Sequence, residues 1–431
     1  MARRNQNPVF IDAFAGCGGL SLGLMQAGLN GLFAIEKDEF AFLTLRRNLI
    51  DRDTKSKFAW PRWLPKKHFA IDQLIEEYRS NLVALRNEVD ILAGGPPCQG
   101  FSSAGRRKAD DPRNRLFKSY VELVRLLEPK IVLMENVRGF TMNFGKDESV
   151  NNYATELREL LADRYVVHER LIDLSAFGVP QQRTRYFLIA MVPALGDIDP
   201  FDIIKDRLPK FLRNQGLQAP VSAWSAISDL EKGKGGTKPS ADTKGFLEIV
   251  PSNRRTAYQK LMGVGAKLVS DLRLARHRPE IEKRFGEIIE ICHAEGRLNT
   301  SVGADIRHRY GLKKQALRVL DPDMPSPTIT SMPDDLLHYA EPRTLTVREN
   351  ARLQSFPDWF KFEGKYTTGG ERRQHEVPRF TQVANAVPPL AARAIGEALA
   401  EVIANAKLGP SSPAQLRRRG EGSVQKLELV S

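Results

Sequence analysis

The sequence predicts an α/β protein built on a doubly wound sheet, accompanied by a second, smaller and irregular domain. Three observations carry that reading. Val9 to Phe14 is a short apolar strand, followed by Ala15–Gly16–Cys17–Gly18–Gly19 and then by Leu20, Leu22, Leu24 and Met25 entering a helix. Strand, glycine turn, helix is the opening unit of such a sheet. A second strand, Gly31 to Ile35, ends at Glu36. A third apolar run, Val89 to Ala93, stops at GGPPCQGFS, residues 94–102, where tandem Gly and Pro force a rigid turn. Cys98 stands on the rim of that turn, at a strand end, where open α/β sheets collect their ligands. A small apolar cap on a strand is the competing reading of this cysteine.

The bulk properties bound the possibilities. At 431 residues the chain is long enough for two domains. Its 42% hydrophobic and 27% charged residues are ordinary for a globular protein, and no apolar run reaches bilayer length. The N-terminus turns into a strand almost at once, so a signal peptide is not expected and a cytoplasmic location is. Of three cysteines, Cys17, Cys98 and Cys292, none are spaced as CxxC, which excludes a disulfide framework and argues against a thiolate zinc site. Cys292 and His293 are adjacent without a second pair to complete a metal set, so no metal is expected. A net charge of +13 and a pI near 9.6 favour a polyanionic partner, nucleic acid before an anionic membrane surface.

Gly16 and Gly18 let the backbone approach a ligand closely, and the helix that follows offers N–H groups to an anion. A carboxylate at Glu36, twenty residues after Gly16, is placed to accept hydrogen bonds from ribose hydroxyls. A GxGxxG dinucleotide turn would need glycine at position 21, which is Ser21. The turn suits one nucleoside with a small anionic tail, which disfavours a nicotinamide oxidoreductase; a glycine turn without a ligand stays open.

Residues 51–68 (DRDTKSKFAWPRWLPKKH) read as a surface excursion, and Asp72 follows at a strand end. Beyond Cys98 the chain is polar and cationic, with Arg106, Arg107, Lys108, Arg113 and Arg115: a phosphate clamp or a solvated loop. A helix, Leu116 to Leu127, leads to the strand Lys130 to Met134, which ends at Glu135–Asn136–Val137. Glu135 can face Cys98 across the top of the sheet, or be an ordinary strand-end residue. After a helix from Tyr153 to Leu161, strands fall around Val166 and Phe187, and Arg183 and Arg185 alternate into the second of them, pointing to one face.

Residues 193–340 carry few strand–helix repeats and interleave basic residues with His and Tyr, as at Arg307–His308–Arg309–Tyr310 and Lys313–Lys314. Order returns with RTLTVRENARLQSFPD, a helix capped by Thr346 with Glu349 three residues on. A Gly/Arg-rich loop (367–379), the run QVANAVPP and a last amphipathic helix through Ile395, Leu399, Val402 and Ile403 to Gly409 complete the order. Residues 410–431 are a disordered tail by composition.

Taken together, these motifs resemble those of the cytosine-C5 DNA methyltransferase family over most of residues 9–405. FAGCGG with Glu36 is similar to its S-adenosylmethionine loop, GGPPCQGFS to its nucleophile motif, ENV at 135–137 to its glutamate motif, and QQRTR at 181–185 to its arginine motif. RTLTVRENARLQSFPD and QVANAVPP are similar to its closing motifs. The resemblance implies a Rossmann-like methyltransferase sheet in 1–192, completed by 382–409, with 193–381 as target-recognition domain. It implies catalytic roles for Cys98, Glu135, Arg183 and Arg185. Phe14 would stack on the adenine of S-adenosylmethionine, Glu36 hold its ribose and Asp72 read its amine. Leu116 and Asn385 would line the same pocket, with Gly16, Gly18, Gly19, Leu20 and Pro96 around it. Gln99, Ser102, Arg106, Arg107 and Arg113 would touch DNA. The implied enzyme is a monomeric prokaryotic modification methyltransferase acting on double-stranded DNA, nucleoid-associated when bound, with a cognate restriction endonuclease as a separate protein. Gly100–Phe101–Ser102 resembles the DNA branch rather than the tRNA-modifying branch of the family; a tRNA methyltransferase and an inactive DNA-binding regulator are the alternatives. Three departures exist: Lys37 stands where an aromatic residue is often found, Ala384 replaces the glycine that usually precedes the asparagine, and the 367–379 loop is longer than usual.

Overall fold

The computed structural model describes residues 7–54, 56–97, 116–141, 153–367 and 376–407. In the first half, β1 (Val9–Ala13), α1 (Gly19–Gln26), β2 (Asn30–Ile35) and α2 (Glu39–Leu45) are followed by α3 (Ile71–Ala84), β3 (Ile91–Gly94), α4 (Leu116–Leu127) and β4 (Ile131–Val137). Then come α5 (Tyr153–Leu161), β5 (Val166–Asp173) and β6 (Thr184–Met191). These six strands form one sheet in the order β2-β1-β3-β4-β6-β5. β2, β1, β3 and β4 are parallel, and β6 runs antiparallel to both its neighbours. The carboxyl ends of β1, β3 and β4 and the amino end of β6 therefore meet along one edge. That is the edge at which ligands bind in open α/β sheets.

Strand residues alternate between two cores, as the period of two requires. Phe10, Ala93, Leu133 and Phe187 join α1, α2 and a later set of helices on one face. Ile11, Leu92, Val132 and Leu188 join α3, α4 and α5 on the other. The later set comprises α6 (Pro200–Asn214), α7 (Ala223–Ile227), α8 (Lys232–Gly235), α9 (Ala257–Gly263), α10 (Pro279–Ala294) and α11 (Ala304–Arg309), then α12 (Val347–Leu353), α13 (Arg379–Asn385) and α14 (Pro389–Lys407). α6, α7, α9, α12, α13 and α14 all contribute to the first core, so the expected boundaries at 192 and 382 cut across it. A separate small core gathers Phe285, Ile288, Cys292, Ile306, Val319 and Leu337 around α10, α11 and a two-stranded ladder, with Val319 of Arg318–Val319 paired with Leu337 of Leu336–Leu337. Cys292 is a packing residue there. A short antiparallel ribbon, Thr237–Pro239 with Leu247–Ile249, lies between α8 and α9.

Two local expectations are corrected. The 51–68 stretch is more than a surface excursion: Trp60 packs edge-on against Phe33, Phe42 and Phe58, and Trp63 against Phe33. Its aromatic rings close the core beside the edge strand β2. Asp72 does not end a strand. Phe69 makes one backbone bond to the Glu36 carbonyl, too little for a ladder, and Asp72 falls in the exposed first turn of α3, where a carboxylate suits the helix dipole.

α12 has no apolar stripe, yet all seven of its residues are buried. Thr346 and Glu349 form the reciprocal capping box. Arg352 is fully enclosed between Asp229 and Asp358, and Arg348 bonds Asp271 and the Pro357 carbonyl. Paired charges, alongside the core contacts of Val347, Ala351 and Leu353, hold this helix, since an unpaired ion could not be buried there. Among the described residues no helix is long and apolar enough to cross a membrane.

Candidate active site

The glycine turn after β1 is held from below by Glu36, whose Oε2 accepts the Gly16 N–H at 2.8 Å and Oε1 the Asp38 N–H at 2.7 Å. Burial pushes the Glu36 carboxyl up, and the two N–H donors pull against that rise. Gly16 has φ +56° and no atom within 4 Å of where a Cβ would sit. This glycine opens onto empty space at the sheet's ligand edge. Phe14 is half-buried beside it, also at positive φ, with its ring 6.5 Å from that of Tyr120.

Gly19 serves a different purpose. A Cβ there would lie 2.4 Å from the Val387 carbonyl oxygen, so its bare backbone admits the turn between α13 and α14. That turn brings in Asn385, the exposed residue in a run from Gln382 to Leu390 that is otherwise buried. Leu20 points into the core and is 4% exposed, so only its backbone is available to a ligand. Gly18 likewise packs tightly, its Cβ position 2.8 Å from Leu49. Leu116 opens α4 half-buried. Asp72 and Lys37 are exposed.

On the neighbouring strands, Pro96 is buried and its carbonyl accepts the Asn136 side chain at 3.2 Å. Asn136 thus pins the GGPP turn to the end of β4. Gly95 faces Glu135, its Cβ position 3.5 Å from Oε2. Glu135 is 8% exposed, and Arg185 Nε lies 3.2 Å from its Oε1. Burial raises the Glu135 carboxyl above the usual range, opposed by the charges of Arg185 and Arg183. Burial lowers both guanidiniums. Arg183 is buried as well, and its Nη2 donates to the Ala384 and Ala386 carbonyls at 2.9 and 3.4 Å, leaving Nε and Nη1 without a partner among the described residues. Arg183 and Arg185 do share a face, as their spacing predicts.

The described chain reaches Pro97; Cys98, Gln99, Ser102, Arg106, Arg107 and Arg113 lie outside the described residues. The structure therefore gathers Phe14, Gly16, Glu36, Gly95, Pro96, Glu135, Arg183, Arg185 and Asn385 at one sheet edge. Sequence reasoning missed Asn136, Gln181 and Gln354, which hold these groups from behind. Each stood inside a quoted motif, Asn136 in ENV, Gln181 in QQRTR and Gln354 in RTLTVRENARLQSFPD, without being singled out there. Among the described residues, no group of three or more His, Cys, Asp or Glu side chains is arranged to hold a metal.

A six-stranded α/β sheet with an open glycine turn beside a buried carboxylate–guanidinium pair at its ligand edge is the layout of an enzyme site. Comparison with known proteins gives the class. The family model for C-5 cytosine-specific DNA methylase matches residues 9–401. The type II methyltransferase M.DdeI of Desulfomicrobium norvegicum is 31% identical over 95% of this chain and 92% of its own length. M1.HphI of Haemophilus parahaemolyticus is 30% identical over 92% and 87%. An Escherichia coli structure described as a prophage-encoded DNA modification methyltransferase superposes with TM-score 0.65 and 26% identity, covering 92% of this chain and 99% of that one. The Dnmt2 methyltransferase of S. pombe shares the fold at TM-score 0.51, with 15% identity over 93% and 99%. The chain belongs to the C-5 cytosine-specific DNA methylase family. It is a DNA (cytosine-5-)-methyltransferase, a reading these relatives support over a tRNA-directed enzyme or an inactive regulator.

Proposed function

We propose that Cys98 is the nucleophile of this enzyme, that Glu135, Arg183 and Arg185 shape its base pocket, and that the opposite wall binds S-adenosylmethionine. The observation that carries the reading is the Glu135–Arg185 pair at 3.2 Å, facing Gly95 three residues before Cys98. C5 of cytosine is too weak a nucleophile to be methylated directly. Addition of the Cys98 thiolate to C6 breaks the C5=C6 double bond and makes N–C4=C5 an enamine with a nucleophilic C5, a task suited to a thiolate near neutral pH. Glu135, kept protonated to higher pH by burial, gives its proton to N3 as negative charge develops there. Arg185 donates to O2, with Arg183 behind it. After C5 is alkylated, its proton passes to a base, the C5–C6 double bond re-forms as the C6–S bond breaks and the thiolate leaves, and N3 returns its proton to Glu135.

The residues at the sheet edge fit the cofactor. Gly16 leaves room for close approach, Asn385 is exposed where its neighbours are buried, and Phe14 offers a ring face. Glu36 keeps lone pairs for ribose hydroxyls beyond its two backbone bonds. S-adenosylmethionine, when bound, supplies the methyl group for C5. The cytosine must leave the duplex to reach such a site, so base flipping is part of the proposal. Gln99, Ser102, Arg106, Arg107 and Arg113 would close on the DNA, and 193–381 would read its sequence. The enzyme would act as a monomer in a prokaryotic cytoplasm, paired with a separate restriction endonuclease.

The test is a duplex carrying 5-fluorocytosine, in which the fluorine on C5 cannot leave as a proton does. Wild-type protein with S-adenosylmethionine is expected to form a covalent complex that survives denaturation, and Cys98→Ala none. An adduct that persists in Cys98→Ala would overturn the assignment.

A further inference from the structure

Two buried glutamines lie behind the site. Gln181 and Gln354 are both 0% exposed, and a buried amide costs free energy unless its donors and acceptor are all bonded. Gln181 Nε2 donates to Gln354 Oε1 at 2.8 Å and to the Leu353 carbonyl at 3.3 Å, while its Oε1 accepts the Ile329 N–H at 3.0 Å. Gln354 Nε2 donates in turn to the carbonyls of Val383 at 2.8 Å and Ala386 at 3.2 Å, with that of Ala384 at 3.4 Å. Arg183 Nη2 donates to the Ala384 and Ala386 carbonyls from its own side. The carbonyls flanking Asn385 are thus gripped by two side chains at once.

The other end of the chain is equally specific. Gln181 forms a parallel bridge with Ser326. Gln182 N–H donates to the Ser326 carbonyl at 2.8 Å, Ser326 N–H to the Pro180 carbonyl at 3.0 Å, and Thr328 Oγ1 to the Gln182 carbonyl at 2.7 Å. Residues 326–329 therefore lie along the segment that runs into Arg183. They belong to the region proposed to read DNA.

We infer that the Gln181–Gln354 amide pair is a positioning device that sets the Asn385 turn, Arg183 and the 326–329 segment in one register. Each amide has a direction. Reversing or deleting one leaves donors facing donors, or carbonyls without a partner, in a site without water to replace them. An apolar helix contact could hold α12 against α13, but it could not fix which way the carbonyls around Asn385 point. Neither glutamine touches cofactor or base; both would act through Asn385 and Arg183, so the inference rests on the site assignment proposed above.

The experiment compares Gln181→Met, Gln354→Met and the double variant, all near the original volume, in the full chain. Readouts are S-adenosylmethionine affinity by calorimetry, kcat and KM on duplex DNA, and thermal midpoint. Each single variant should weaken cofactor binding about tenfold and lower kcat about tenfold, the range for removing a group that orients a ligand-bearing residue. KM for DNA should change less than about threefold, and the double variant should lose no more than the worse single one, because the two amides act as a unit. Leu157→Ala, in the core across the sheet, controls for lost stability and should leave kcat unchanged. Losses that merely match those of Leu157→Ala, or losses that add in the double variant, overturn the inference. Should a Met variant fail to fold, Gln354→Glu keeps the shape but replaces the two-hydrogen amide donor with a carboxyl that offers at most one hydrogen, or a negative charge, to the Val383, Ala384 and Ala386 carbonyls; wild-type kinetics there overturn it equally. Asn385→Ala reports on the site reading separately: unchanged cofactor affinity in that variant refutes the site, whereas a loss there without one in the glutamine variants refutes the relay.

Discussion

Glu135 and Arg185 meet diagonally across two antiparallel strands. Glu135 is paired with Phe187 and Val137 with Arg185, so the ion pair links a residue to the neighbour two positions along on the same face, within reach of a long side chain. The antiparallel turn of β6 is what makes this possible: a parallel strand would have brought its amino end, and Arg185, to the opposite edge of the sheet.

The pair gives the first prediction. Burial favours the neutral form of Glu135, and Arg185 and Arg183 offset only part of that. Its proton is therefore present below the raised pKa and lost as pH rises through it. Glu135→Gln keeps the shape but cannot give up a proton, and kcat should fall by about 10²–10⁴, the usual worth of a positioned general acid. The alkaline limb of the pH–rate profile should change with it, while duplex binding measured by gel shift should change little. Near-wild-type turnover in Glu135→Gln would remove the carboxyl from the chemistry.

Legibility from sequence followed the physical signal each element carries. β1, β3, β4 and α4 were readable because apolar runs stop at Gly, Pro or a charged strand end, and the site residues sit at those stops. The 51–68 segment was not, because Trp60 and Trp63 find their partners on β2 and α2 rather than along their own stretch. VRENARL was legible as a capped helix but not as a buried one, since of the carboxylates that pair with its arginines only Asp358 is near in sequence, and Asp229 and Asp271 lie far along the chain. Asp72 misled because the apolar run Phe69–Ala70–Ile71 before it reads as a strand, whereas Ile71 already opens α3. Gln354 stood in the motif RTLTVRENARLQSFPD, but its role was not legible there, because a buried amide is defined by its partners.

Asp12 carries a second prediction. It is wholly buried on β1; its carboxylate bonds the Ser21 hydroxyl in the first turn of α1, and its Oδ1 has no partner. Burial, opposed by the bonds from the Ser21 side chain and backbone, pushes its pKa up to about 7. The folded chain thus holds a proton that the unfolded chain loses near pH 4. Stability from this group is full below that pH, falls as pH rises towards about 7, and is flat beyond. At about 1.4 kcal/mol per unit the penalty approaches 4 kcal/mol as an upper bound. Asp12→Asn removes the titration. Urea midpoints measured from pH 4.5 to 8 should show the variant gaining on wild type as pH rises; parallel curves would refute the buried ionisation.

The third prediction concerns Arg352, which has no solvent exposure and bonds two carboxylates at once. Its Nη2 lies 3.0 Å from Asp229 Oδ2 and its Nε 2.8 Å from Asp358 Oδ1. Burial alone would raise the Asp358 carboxyl, but the charge and hydrogen bond of Arg352, the charge of Arg348 and the Arg254 hydrogen bond together outweigh it, and the net shift is downward. Folding is therefore favoured by ionised Asp358, and that contribution is lost as pH falls through the depressed pKa. Arg352→Leu leaves the buried Asp229 without Arg352 and Asp358 with only the partly exposed Arg254 at 2.8 Å, which should cost about 3–5 kcal/mol and lower the thermal midpoint by roughly 3–6 °C. Arg352→Lys should recover little, because a single ammonium cannot serve both carboxylates with a planar fork. Adding Asp229→Asn and Asp358→Asn to Arg352→Leu should restore part of the midpoint, since the stranded charges are then gone. Scanning calorimetry at pH 7 decides it. A midpoint for Arg352→Leu within about 2 °C of wild type, or a triple variant no more stable than the single one, would show that α12 is held by packing rather than by its charges.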